Sequence, residues 1–154
     1  MSGYPDLERF AYGFGRAEVN LGPAGIVTAI TAVNFDQPTT EEGVMGTRPY
    51  PILRTEGNMG MGEGSITFSD EAERVRFLTA LGNNYRQKIW PLNWTLTASG
   101  APTVEMACVG CRVLGNPIAH AQGEAALGGD VSFSFMYFTI NGLVPHEGLP
   151  SPTR

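Results

Sequence analysis

Charge is scarce in this chain of 154 residues: Asp, Glu, Lys and Arg make up 16 per cent, with two histidines and two cysteines. Two histidines leave little for general base chemistry. Two cysteines cannot staple a domain of this size, so reduced thiols in a cytoplasmically made protein are the default expectation. No run of about eighteen apolar residues occurs, and a helical membrane span is not expected. The opening stretch, MSGYPDLERFAYGFGR, holds acids and lacks an apolar centre, so it does not read as a secretory signal. No G-x-S-x-G elbow, phosphate-binding loop or H-E-x-x-H motif is present. MGMGEG has a Gly-x-Gly core but neither the lysine nor the strand-to-helix step of a phosphate cradle. A net charge of −5 and a pI near 4.9 argue against a surface that grips nucleic-acid phosphates. An acidic protein can still face DNA if its task is to repel it.

What the chain has in quantity is turn-formers. Twenty glycines and eleven prolines, set between β-branched and aromatic runs, point to one mostly-β domain spanning 1–154. The clearest unit is EGSITFSDEAERVRFLTALG, residues 63–82. Ile66 and Phe68 alternate with Ser65 and Thr67, the period of a half-buried strand. Asp70 stands three residues before Glu73, as in a capping box with Asp in place of Ser or Thr. Val75, Leu78 and Leu81, widened by Ala72 and Phe77, then form an apolar stripe at helical spacing. Asp70, Glu71, Glu73, Arg74 and Arg76 fall on the wet side, and Gly82 with Asn83 supplies a stop. The spacing predicts one helix over about 70–82, and no other.

Around that unit the chain reads as strands. Residues 1–16 carry Tyr4, Phe10, Tyr12 and Phe14 among glycines, as a strap over the core or an arm that docks on a neighbouring subunit. Residues 17–21 and 25–35 read as two strands broken at Gly22-Pro23. Neither face of the second is clearly wet, so it is expected to be buried on both sides. Residues 36–62 are rich in Gly, Pro and Met yet keep Val44, Met45, Tyr50, Ile52, Leu53, Met59 and Met61. Such a connection is too long for an ordinary loop and too apolar for a solvated one. A hairpin or loop that orders against another protein suits it, Met being adaptable packing material. Later strands cover 86–98, 104–114 and 130–141. Pro91 marks a bulge or an edge, and Asn141-Gly142 a turn. A proline-spaced tail, 143–154, ends the chain.

Cys108-Val-Gly-Cys111 is the one tempting chemical motif. Zinc would need four ligands, and no second pair exists; His120 and His146 could complete the site only if distant loops converged. In a regular strand an offset of three sends the two thiols to opposite faces. Buried structural cysteines are therefore expected, and no metal or cofactor. The scattered acids suit turns and caps better than a paired-carboxylate site, and no enzymatic activity is expected.

A two-sided strand, the long Gly/Pro/Met segment, the strand-helix unit ending Phe-Leu-x-x-Leu-Gly, VEMACVGCRV and GGDVSFSFMYFTINGL together resemble, in layout, the tail tube proteins of long-tailed bacteriophages. The likeness spans most of 17–143. It implies an antiparallel β-sandwich or half-barrel with one flanking helix, related to the tube protein of type VI secretion. It further implies homo-oligomeric six-membered rings stacked into a virion tail tube, whose acidic lumen passes DNA without binding it. Residues 36–62 would be the stacking loop. Sheath, baseplate or tail-tip and terminator proteins would be its partners, with no membrane. Edge strands agree with this, because closing a ring removes them. The tube of a phage-derived injection device is an alternative within the same class. Two rivals lie outside it. One is a monomeric ligand-binding β-barrel whose cavity is lined by Trp90, Trp94, Phe133, Phe135 and Tyr137. The other is a metal-dependent enzyme using Cys108, Cys111 and a histidine.

Overall fold

A computed structural model describes residues 9–55, 57–124 and 126–145. The expectations for Tyr4, for His146 and for the tail beyond residue 145 lie outside the described residues.

Among the described residues the architecture is one curled antiparallel sheet with a single α-helix against it, and the sheet does not close into a barrel. Its strands are β1 (Glu18–Asn20), β2 (Ile26–Val27), β3 (Ile30–Asp36), β8 (Gly62–Phe68), β9 (Trp90–Leu96), β10 (Val104–Gly115), β11 (Gly129–Phe135) and β12 (Tyr137–Ile140). They run in the order β2-β1-β9-β10-β11-β8-β3, with β12 also on β10. Between β3 and β8 lie four short strands, β4 (Thr39–Thr40), β5 (Gly43–Met45), β6 (Pro51–Arg54) and β7 (Asn58–Met59). The expected half-barrel with one helix, α1 (Glu71–Leu81), is what the chain forms.

β10 is the spine. β9 runs along one side of it, while β12 and then β11 share the other. The ladder to β9 shifts between Cys108 and Cys111, where Gly110 takes φ 71°. An extra residue in one strand bends it and raises its twist, which is how a single strand can serve both halves of a curled sheet. The shift lies opposite Pro91, which has no N–H to give to a regular ladder; a bulge or an edge was expected in the strand that holds Pro91, but the extra residue is on β10.

Two expectations for the first strands are corrected. Residues 25–35 are two strands at opposite ends of the sheet path, broken at Thr28-Ala29. Nor is β3 buried on both sides: among the described residues it pairs only with β8, and Thr31, Ala32 and Asn34 are exposed. A register shift between Ile30 and Ala32 explains the mixed pattern. Ile30 lies at odd spacing from Val33 and Phe35, yet the bulge turns all three toward the core.

The interior is a relay of aromatic rings. Phe68, Phe77, Trp90, Phe133 and Phe135 follow one another with centroids 5.0–6.1 Å apart, and Phe35 and Phe138 extend the series. Val131, Phe133, Phe135 and Tyr137 all point inward, as their alternation implies, although Met136 interrupts the strand. Each fully buried ring contributes about 1.5–3 kcal/mol in transfer terms. The rings pack on one another, so those assigned to the lining of a barrel cavity fill the core instead. Trp94 borders a surface groove.

The helix begins and ends where expected but turns a different face inward. The Asp70 carboxylate accepts from the Ala72 N–H at 3.0 Å, and Gly82 (φ 82°) donates its N–H to the Leu78 carbonyl at 3.1 Å. The capping-box reach-back is not made: Glu73 pairs with Arg76 at 2.9 Å. Arg74, expected in water, is 1 per cent exposed, and Val75, expected inside, is 51 per cent exposed. Positions 74, 77, 78 and 81 make the inner face, because a loop forty residues away offers Arg74 partners and Phe77 slots between Phe68 and Trp90.

Candidate assembly surface

The segment 36–62 folds as an arm. β3 and β8 end at the pair Asp36–Glu63, and the chain continues outward through β4–β7 (Thr39–Met59) and β5–β6 (Val44–Leu53). Its base is tied to the sheet by the Gln37 side-chain amide, which donates to the carbonyls of Gly60 and Met136. Midway, Thr55 and Glu42 exchange two hydrogen bonds, each 2.8 Å long. Glycine is needed at Gly57, where φ is 91° and a Cβ would fall 2.7 Å from the Thr39 methyl.

Of the seven apolar residues singled out in the sequence, Val44, Met45, Tyr50, Ile52, Leu53 and Met61 are exposed, Leu53 by 65 per cent. Met59 is half-buried. Among the described residues, every one from Pro38 to Thr55 is exposed. A two-stranded ribbon is marginal in water by itself, and this one leaves six large apolar side chains exposed.

The sheet also has open rims. Among the described residues β3 bonds only to β8, and β2 only to β1, which leaves an outer backbone edge on each. Such edges are templates for pairing with another chain.

The cysteines are corrected in one respect. Both are buried, as expected, but they face the same core, because the Gly110 bulge cancels the odd offset. The Cys111 thiol lies 3.6 Å from the Cys108 carbonyl oxygen, and its pKa is raised far above the ordinary thiol range by Cys108 and by burial. Burial leaves neither thiol open to solvent. His120 lies 3.0 Å from the Glu71 carboxylate. Among the described residues no group of three His, Cys, Asp or Glu side chains is placed to hold a metal ion.

The cluster that sequence reading missed is around Arg74. Its guanidinium donates to Glu71 at 2.6 Å and to the carbonyls of Asn116 and Pro117 at 2.8 and 3.1 Å. Glu71 also receives His120, and its N–H bonds the Leu127 carbonyl. The hydrogen bond from His120, then those and the charge of Arg74, hold the Glu71 carboxyl below its usual range against the opposing effect of burial. Together these contacts strap the loop between β10 and β11 onto the helix. The composition of that loop carries no hint of it.

Fold and surface thus define a class: a curled β-sheet with one flanking helix, open rims and a projecting apolar arm. No protein-family model matches the chain, and no curated protein matches it. Among solved structures its fold is similar to a chain of the anti-feeding prophage cap, the AFP tube terminating cap. The TM-score is 0.60 at 15 per cent identity, over 91 per cent of this chain and 97 per cent of that one. A chain of the anti-feeding prophage baseplate aligns with a TM-score of 0.45 and 7 per cent identity, over 80 and 89 per cent of the two chains. At 15 per cent identity the likeness to the cap chain is one of fold.

Proposed function

We propose that this chain is a non-enzymatic structural subunit of a phage-tail-like particle, assembling into six-membered rings that stack as a tube. The carrying observation is the arm: an apolar ribbon with no cover of its own, on a fold matched over 91 per cent of the chain by a prophage tube-terminating component. Ring closure would satisfy the open edges of β2 and β3, and the arm would bridge to the next ring. Other tail proteins would meet the ends of the stack. The acidic balance of the chain suits a conduit that nucleic acid passes without sticking.

Negative-stain microscopy of a variant lacking residues 43–54 tests this. The variant stays folded, since the core lies elsewhere, and it no longer stacks. Tubes formed by it would remove the arm from the mechanism.

A second reading is a ring that ends a tube rather than extends it, favoured by the neighbour's place in a terminating cap. The purified chain would then give single rings at every concentration, and long tubes would exclude it.

A further inference from the structure

The far end of β3 carries a feature that complements the arm. A groove of about 310 Å³ opens there, beside Thr28 and Ile30. Phe14 and Trp94, with ring centroids 5.4 Å apart, form one wall, and exposed Ile26 forms another. Phe14 is held in place from behind: Thr97 donates to the Arg16 carbonyl, and Phe10 N–H to that of Ser99. Glu18 is the one charged residue on the lining.

The tip of the arm is its chemical counterpart. Between Gly43 and Leu53 the only charge is Arg48, set beside Tyr50 and Ile52. Among the described residues neither Arg48 nor Glu18 has an ion-pair partner. A copy cannot fill its own groove. The arm leaves from Asp36, about 20 Å along β3 from Ile30 at ~3.3 Å per residue. Its tip then runs further out, paired within itself. We infer that the groove bounded by Phe14, Ile26 and Trp94 receives the arm tip of a second copy, with Tyr50 or Ile52 seated on the rings and Arg48 against Glu18. An arm at one end of a strand and its receptor at the other make a head-to-tail contact, which propagates instead of closing on itself. The assignment rests on the assembly reading above and names the receptor for it.

Cross-linking tests the pair. Tyr50→Cys and Ile26→Cys variants are mixed under assembly conditions and oxidised; the native thiols, at 1 and 0 per cent exposure, give little background. Both substituted positions are exposed, so folding is undisturbed. Linked dimers from the mixture and from neither variant alone support the inference. Assemblies without that link overturn the groove and leave the assembly reading standing; no assembly at all, from the parent protein too, overturns both. A link made instead by a Tyr4→Cys variant would give the groove to the N-terminal segment and overturn the assignment. In parallel, Glu18→Arg and Arg48→Glu should each raise the critical concentration about threefold, the scale of an exposed ion pair. The double exchange should restore it, and additive losses would overturn the pairing.

Discussion

Replacing Arg74 isolates the energetics of the strapped loop. The side chain is 2 per cent exposed and satisfies two backbone carbonyls as well as Glu71. Arg74→Ala leaves those carbonyls without their donor, at about 1–3 kcal/mol for a buried unsatisfied group. Breaking a buried pair by removing one partner costs about 3–5 kcal/mol. Glu71 retains His120 and remains partly solvated, so the lower part of that range, about 3 kcal/mol, is expected. For a chain of this size each kcal/mol moves Tm by about 2–4 °C, which gives a fall of roughly 6–12 °C. Arg74→Met refills the volume and removes the burden of burying a guanidinium whose Nε has no partner. It should lose about half as much. Urea melts on dilute, unassembled protein measure both variants, and hydrogen exchange over residues 116–128 reports whether the loop lifts. A loss below about 1 kcal/mol in Arg74→Ala would refute the reasoning, because the bonds would then be no better than those to water.

Acid should act through Glu71. Its folded pKa lies below the ordinary value of 4.5, so its contribution is complete above that value and is lost as pH falls through the lowered one. His120→Ala, which removes the largest cause of the shift, should flatten the acid limb of a stability–pH curve, and an unchanged limb would count against the bridge. Gly62→Ala should destabilise by about 1–3 kcal/mol, the cost of overpacking, since the new Cβ would sit 2.3 Å from the Phe135 ring; thermal melts check it. Cys108 and Cys111 should react with a thiol reagent only at the rate of global unfolding, and rapid labelling of the native protein would contradict their burial.

Several features were legible because they depend on neighbours in the chain. Though the helix's inner face did not, the strand at 62–68 and the ends of the helix at 71–81 came out close to the reading, since alternation, an Asp cap and a terminal glycine act within a turn or two. The Asn141-Gly142 turn did as well: both residues take positive φ, at 50° and 80°. The arm was visible as a surplus of apolar residues among turn-formers, since such a segment has little core of its own to bury them in. The groove beside Phe14 was not visible. It gathers Phe14, Glu18, Ile26 and Trp94 from separate segments, and only the pairing of β1 with β2 and β9 sets them side by side.

The amino-acid order by itself determined a mostly-β chain with one helix and a long apolar excursion between two strands. Only the tertiary structure decided which way side chains point. Bulges at Thr31 and Gly110 each add one residue to a strand, and one residue reverses every face beyond it; that is how Ile30 joins Val33 and how Cys111 joins Cys108. The inner face of the helix was decided in the same way. An arginine can be buried only where acceptors wait, and the carbonyls that hold Arg74 belong to Asn116 and Pro117, brought there by the sheet and not by any local rule.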